Sequence, residues 1–135
     1  MGFNYQGRRP MQKGLTKSYG VNVATTGTPM VAGNIYTIFS TASSTGAAIK
    51  NYTLAAPKAN QIGLEVEIHC IKSSTIKAPR VTLTAASLYS TVSSTGVTKD
   101  TIRFGRADQS VILRAFSTTK WRLTHAVNSP TITTS

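Results

Sequence analysis

Residues 61–71 of the chain, QIGLEVEIHCI, are the stretch that decides the fold. Apolar side chains alternate one by one with the others, Ile62, Leu64, Val66 and Ile68 against Gly63, Glu65 and Glu67. Successive side chains of a β-strand point to opposite faces, whereas an amphipathic helix would repeat its apolar residues every three or four positions. The segment therefore predicts a strand with one face on a core and a charged face toward solvent.

Short apolar segments recur along the rest of the chain and are divided by Gly, Pro, Ser and Thr. Together with 61–71 they predict eight strands and a short ninth in the tail, the others at 19–25, 34–40, 49–55, 79–89, 99–105, 109–116, 120–127 and 130–135. Many short strands joined by polar turns are typical of a sandwich or barrel. We expect an all-β fold, a single jelly-roll-like β-sandwich over residues 19–135. Its core is expected to include Leu64, Val66, Ile68, Leu113, Trp121 and Leu123.

The two histidines and the one cysteine all lie on predicted strands. His69 and Cys70 are adjacent, so their side chains point to opposite faces and cannot form a thiolate–imidazole pair. Alternation along the last long strand puts His125 on the face of Trp121 and Leu123, where it is expected to be structural. Cys70 is expected to be a small buried residue.

Carboxylates are too few for paired acid–base chemistry, since the chain has four acids: Glu65, Glu67, Asp100 and Asp108. Glu65 and Glu67 share one strand face, which indicates a charged outer face or a patch that meets a basic neighbour; a metal site is the weaker alternative. No phosphate-binding loop, zinc-protease motif or serine-hydrolase motif occurs. The sequence therefore predicts a protein that is not an enzyme and uses no metal or cofactor.

The charge is strongly one-sided, because 15 Lys and Arg against four acids give a formal net charge of +11. Such an excess indicates an acidic partner, either nucleic acid or an acidic protein surface. No run of about 18 apolar residues and no basic amphipathic helix occurs, so no membrane partner is expected. Residues 1–18 are basic and contain no acid, which predicts an extended arm that binds a partner through Arg8, Arg9, Lys13 and Lys17.

Further basic side chains are expected to contact a protein or nucleic-acid partner: Lys72, Lys77, Arg80, Arg103, Arg106, Arg114 and Arg122. Among them, Arg114 shares a strand face with Ile112 and Phe116. An Arg beside a Phe can stack on bases, as in proteins that bind single strands, or its stem can cover apolar surface at a protein interface. The chain lacks the dense aromatic platform of an RNA-binding sheet, which favours the interface.

Two loops nearly repeat one phrase, STASSTG at 40–46 and STVSSTG at 90–96. Aligning the copies also aligns the flanking segments, with Ile38 on Leu88, Phe39 on Tyr89, Tyr52 on Ile102 and Leu54 on Phe104. Each copy is expected to join two strands. An internal duplication explains the repeat, and so does the common use of Ser, Thr and Gly in loops.

Between about residue 34 and residue 127, apolar strand segments and turns follow one another in a recognisable order. It comprises Tyr52, Thr53, Leu54 and Pro57, then Ile62, Gly63, Leu64, Val66 and Ile68, then Val111, Leu113, Phe116, Trp121 and Leu123. In this order the segments resemble the β-sandwich and jelly-roll domains of small phage and viral virion proteins.

The resemblance implies a decoration, cement or minor capsid protein, located in the virion, that docks on and stabilises a capsid shell. Its partners would be other capsid subunits, and it would be a homo-oligomer within a larger assembly. The alternative is a capsid or single-strand nucleic-acid-binding protein whose basic arm contacts the packaged genome.

Deleting residues 2–18 should leave the sandwich folded but weaken its binding to an assembly, because the arm is expected to contribute contacts with a partner and none to the core. Circular dichroism and co-sedimentation with particles would measure the two effects. Loss of the β signal in the truncated protein would contradict this prediction.

Overall fold

The computed structural model describes residues 20–40, 46, 48–74, 76–89 and 99–134. Ten strands lie in these ranges: β1 Val21–Val23, β2 Ile35–Phe39, β3 Asn51–Leu54, β4 Glu65–Lys72, β5 Arg80–Leu83, β6 Ser87–Tyr89, β7 Thr101–Arg103, β8 Ser110–Ser117, β9 Lys120–Val127 and β10 Thr131–Thr133. A 3-10 turn in the same ranges, Ala59–Gln61, precedes β4. The predicted all-β sandwich is confirmed.

The strands form a six-stranded first sheet, in the order β1-β2-β4-β8-β9-β6, and a four-stranded second sheet, in the order β10-β7-β5-β3. The chain changes sheet at almost every connection, and only β1–β2 and β8–β9 stay within one sheet. A strand that leaves a sheet and returns through the opposite one can keep its direction. For this reason β2 and β4 are parallel in the first sheet, and β3 and β5 are parallel in the second.

Every predicted strand segment contains a strand, but 79–89 contains two. Thr84 and Ala85 form a turn in its middle, and Ala85 has a positive φ of 53°, which interrupts the extended backbone. β5 therefore ends in the second sheet, and β6 begins the next passage in the first sheet. The apolar alternation across 79–89 gave no sign of this break.

The core lies between the sheets and is built from their inward-facing residues. Of the six residues predicted to form it, Val66, Ile68, Leu113 and Trp121 are fully buried, and Leu64 and Leu123 are half-buried against them. The second sheet supplies the opposite wall with Tyr52, Leu54, Val81, Leu83, Ile102 and Phe104.

Tyr52 also joins the two sheets through its polar end. Its hydroxyl donates a hydrogen bond to the carbonyl oxygen of Phe39 (2.9 Å) and accepts one from the Phe39 N–H (3.3 Å). A buried hydroxyl with partners on both sides avoids the desolvation cost of an unpaired polar group. The apolar ring and the satisfied hydroxyl together fix the approach of β3 to β2.

His125 does not lie on the core face, which corrects the sequence-based placement. The ladder between β8 and β9 shifts by one residue between Ile112 and Leu113, so that Leu123 pairs with Leu113 but His125 pairs with Ile112. This β-bulge takes up Thr124 and reverses the alternation beyond it. His125 is consequently exposed, on the side of the sheet away from the core.

Both copies of the repeated phrase lie in connections that run between the two sheets. One connection runs from β2 to β3 and the other from β6 to β7, each from the first sheet to the second. The aligned residues beyond them share their burial: Tyr52 and Ile102 are 1% and 0% exposed, and Leu54 and Phe104 are both 0% exposed. The strands themselves differ, because β3 is parallel to β5 at the edge of its sheet, whereas β7 is antiparallel to β5 and lies between β5 and β10. The internal duplication therefore stays a hypothesis.

The basic arm lies outside the described residues, and so do Arg8, Arg9, Lys13 and Lys17. Most of both repeated phrases, at 41–45 and 90–96, also lies outside them. The fold described here therefore begins at Gly20, one residue before β1.

Replacing Trp121 by Ala should lower the free energy of unfolding by about 3–5 kcal/mol, the usual cost of emptying a large buried aromatic site. Trp121 is 0% exposed, so its whole ring is removed from the core. Ile71→Ala is the matched control, because Ile71 is 58% exposed on β4, and its loss should stay below about 0.5 kcal/mol. Denaturant titration measures both, and similar losses for the two variants would contradict the prediction.

Candidate interaction surfaces

The two sheets present outer faces of different chemistry. The first-sheet outer face has apolar, aromatic and charged side chains: Ile35, Glu65, Glu67, His69, Ile71, Tyr89, Ile112, Arg114, Phe116 and Arg122. The second-sheet outer face has only Thr, Asn and Arg: Asn51, Thr53, Arg80, Thr82, Thr101, Arg103, Thr131 and Thr133. Each surface can therefore bind a different kind of ligand.

Three side chains meet at the β6 edge of the first sheet and form what we call the aromatic cluster: Tyr89, Phe116 and Arg122. The rings of Tyr89 and Phe116 are stacked, with centroids 4.8 Å apart and planes 17° from parallel. Tyr89 is 38% exposed and Phe116 is 48% exposed, so both rings remain accessible. The strand register brings them together. Tyr89 pairs with Arg122 across β6 and β9, and Phe116 lies at the register shift between Ala115 and Ser117 of β8.

Arg122 holds the aromatic cluster together through its guanidinium group. The guanidinium carbon lies 5.2 Å from the Tyr89 ring centroid and 5.0 Å from the Phe116 ring centroid, within cation–π range of both. Its Nε atom is buried and has no hydrogen-bond partner among the described residues. The rings are therefore the contacts that orient this cation.

One ion pair and one histidine–carboxylate hydrogen bond occupy the middle of the same face. Arg114 Nη2 lies 3.0 Å from Glu65 Oε2, and His69 Nε2 lies 2.5 Å from Glu67 Oε2. Glu65 and Glu67 share a face, as predicted, and Glu65 meets a basic neighbour across the β4–β8 ladder. Both acids in the middle of this face thus have a partner on the same face.

Exposed apolar residues extend the first-sheet outer face toward its other edge. Val21 and Val23 on β1 are 61% and 67% exposed, and Ile71 at the end of β4 is 58% exposed. Among the described strands, β1 lies at the edge of the sheet and pairs only with β2. Exposed apolar side chains on an unpaired edge are typical of a strand that a partner covers.

The predicted basic contact residues do not form one patch. Four of them form two cross-strand pairs, Arg114 with Arg122 on the first sheet and Arg80 with Arg103 on the second. The other three lie at a strand end or in a connection: Lys72 ends β4, Lys77 precedes β5, and Arg106 follows β7. Arg106 faces Asp108 at 3.7 Å.

The cysteine, the possible nucleophile, and the residue types that bind metals do not come together in one site among the described residues. Cys70 is buried, and His69 lies on the opposite face of the strand, as the adjacency of the two residues predicted. Burial raises the pKa of the Cys70 thiol, and the negative charge of Asp108 acts in the same direction. No cluster of three or more His, Cys, Asp and Glu side chains occurs in the part of the chain that the structure describes.

Tyr89 is the functional candidate that sequence reasoning missed. Phe116 and Arg114 were placed on one face by alternation, but Tyr89 comes from a strand whose neighbour is β9, more than 30 residues further along the chain. One signal was present, because the repeat aligns Tyr89 with Phe39. Phe39 also faces a cation, with Lys50 Nζ 4.2 Å from its ring centroid.

Neither a protein-family model nor a curated protein matches the chain. Within the ranges that the structure covers, no helix is long and apolar enough to cross a membrane. The surfaces themselves are therefore the basis for assigning a function.

The Cys70 thiol of the native protein should react with a disulfide reagent such as DTNB at least about a hundredfold more slowly than in denaturant, because it is buried and the thiolate is the reactive form. Since its pKa is raised, the native rate should keep increasing with pH above the range where an exposed thiol levels off. Rapid labelling of the folded protein near neutral pH would contradict this and revive a catalytic role for the thiol.

Proposed function

We propose that this chain is a structural, non-catalytic shell protein of the virion decoration, cement or minor capsid type. It docks on neighbouring capsid subunits through the first-sheet outer face, with the aromatic cluster as its anchor. The order of segments between residues 34 and 127 supports this class, and the exposed stack of Tyr89, Phe116 and Arg122 is the observation that carries the docking surface.

The composition of the aromatic cluster suits a protein interface. Tyr, Phe and Arg are enriched in the cores of interfaces, and a few such residues supply most of the binding free energy. Tyr89 and Phe116 are already stacked and Arg122 already lies over them, so little side-chain freedom remains to be lost on binding. The cluster is therefore preorganised for a partner with a complementary pocket.

The charges of the face also favour docking. A buried charge without a partner is costly at an interface, but Glu65 and Glu67 keep Arg114 and His69 as partners when a subunit covers them. The formal net charge of +11 also attracts an acidic partner at long range. The contacts of both acids would thus be preserved in the docked state, and the aromatic rings would supply new apolar contact.

Single-stranded nucleic acid is the second candidate partner, because the same cluster offers the ring faces and the cation that base stacking uses. The basic arm would then contact the phosphates of the packaged genome. One stacked pair is a small platform, which is why docking on protein is the preferred proposal. The two partners differ in how their binding depends on salt.

Phe116→Ser should lower retention of the protein on native shells emptied of genome by about tenfold or more, because it removes a ring from the anchor. Ile76→Ser is the matched control. Ile76 is 42% exposed, comparable to Phe116, but lies in the connection between β4 and β5. Co-sedimentation with nuclease-treated particles measures retention, and thermal melts check that both variants fold.

Equal loss in the two variants would exclude the cluster as the anchor. Retention that disappears with the genome, together with binding of an oligo(dT) strand that falls steeply with salt, would support the nucleic-acid partner instead. Binding to emptied shells that Phe116→Ser leaves unchanged would also overturn the docking proposal.

A further inference from the structure

The register of the second sheet assembles two rows of polar side chains on its outer face. One row contains four threonines in direct cross-strand register, Thr53, Thr82, Thr101 and Thr133. The next row contains Asn51, Arg80, Arg103 and Thr131 in the same way. Neighbouring strands are about 4.8 Å apart, so each row is a ladder of closely spaced polar groups.

A depression of about 310 Å³ opens on this face, lined by Ile49, Asn51, Arg80, Thr82, Thr101, Thr133 and Thr134. Its volume is at the lower end of the range for small-molecule sites. Among the residues that the structure describes, no acid lines it, and it shares no residue with the aromatic cluster. This second surface is therefore independent of the proposed docking face.

The hydrogen bonds within the depression leave donors on one side of it. Thr82 Oγ1 donates to Asn51 Oδ1 at 2.9 Å, which directs the Asn51 amide nitrogen, a donor, away from Thr82. Arg80 adds its guanidinium donors and has no acid within ion-pair distance among the described residues. A carboxylate or phosphate group would match these donors.

Acceptors remain on the threonine side. Because the hydroxyl proton of Thr82 is given to Asn51, and that of Thr101 is given to Asp100 Oδ1 at 3.2 Å, both oxygens present lone pairs. A fully ionised inorganic anion has no O–H group and cannot donate a hydrogen bond to these acceptors. A ligand with both anionic oxygens and hydroxyl groups satisfies the donors and the acceptors together.

We propose that this depression binds a small hydroxylated organic anion of about the size of one acidic sugar. Arg80 pairs with its carboxylate or phosphate group, Asn51 donates to an oxygen, and the oxygens of Thr82 and Thr101 accept from its hydroxyl groups. Ile49 and the threonine methyl groups contact its carbon skeleton.

Titration of the full chain with glucuronate, glucose 6-phosphate and glucose at constant ionic strength tests the site, with backbone amide chemical shifts as the readout. We expect both anions to shift the amides of Asn51, Thr82, Thr101 and Thr133, and neutral glucose to bind at least about tenfold more weakly. The tighter of the two anions identifies the acidic group as carboxylate or phosphate.

Arg80→Gln should weaken binding of the preferred anion by about tenfold or more, and Arg80→Lys by a smaller factor because it keeps the charge but loses the planar fork. Arg103→Gln is the matched control. It removes the same charge from the neighbouring strand. Arg103 does not line the depression, and its guanidinium group lies beside Gly105, where Nη1 would be 3.7 Å from a Cβ built on that glycine. Binding by this control should stay within about twofold of the parent protein.

Three results would overturn the proposal: equal losses for Arg80→Gln and Arg103→Gln, glucose binding as well as the anions, or no shift of the lining amides with any probe. The first would mean a general attraction of anions to a basic face. Melting temperatures of the variants show whether each is folded, and Arg80→Lys provides a second reading if Arg80→Gln is not.

Discussion

The whole structure depends on one constraint, which is that nearly every connection carries the chain across the core to the other sheet. Neither sheet can be completed without the other, because most consecutive strands belong to different sheets and face each other across the same core. Strands on this path therefore have an apolar face in contact with the facing sheet, as β4 does through Val66 and Ile68 and β5 through Val81 and Leu83. The parallel pairs of β2 with β4 and β3 with β5 are a consequence of the same path, since in each pair the chain passes through the opposite sheet between the two strands.

The outer faces are left free of core packing, and their residue types can follow function. The first sheet combines the acids Glu65 and Glu67 with basic partners and adds exposed rings at its edge, which gives a surface of mixed charge and apolar contact. The second sheet has threonines, one asparagine and two arginines, with no acid on its outer face. This division makes one surface suited to a protein partner and the other to an anion, although both lie on a scaffold only two sheets thick.

Residues close together in the chain could be placed on one surface from the sequence, whereas residues from distant strands could not. Alternation alone placed Arg114 beside Phe116, because both belong to one strand. The aromatic cluster needs Tyr89 from β6 beside Phe116 and Arg122, and the place of β6 next to β9 depends on the break at Ala85 and on the return from the second sheet. The depression on the second sheet was hidden for the same reason, since Asn51, Thr82, Thr101 and Thr133 come from four strands spread over more than 80 residues. No local pattern specifies such a cross-strand row.

The sequence by itself determined the fold class, the existence of nearly every strand and the first-sheet part of the core, because the period-two alternation of residues such as Leu64, Val66 and Ile68 is a local property of the extended backbone. It also determined that His69 and Cys70 point apart. Only the tertiary structure decided which strands are neighbours, that a bulge at Thr124 turns His125 outward, and that Arg80 and Arg114 belong to different surfaces. The physical reason is that strand order and register are set by the packing of two whole sheets and by the loops that join them, which residue alternation does not encode.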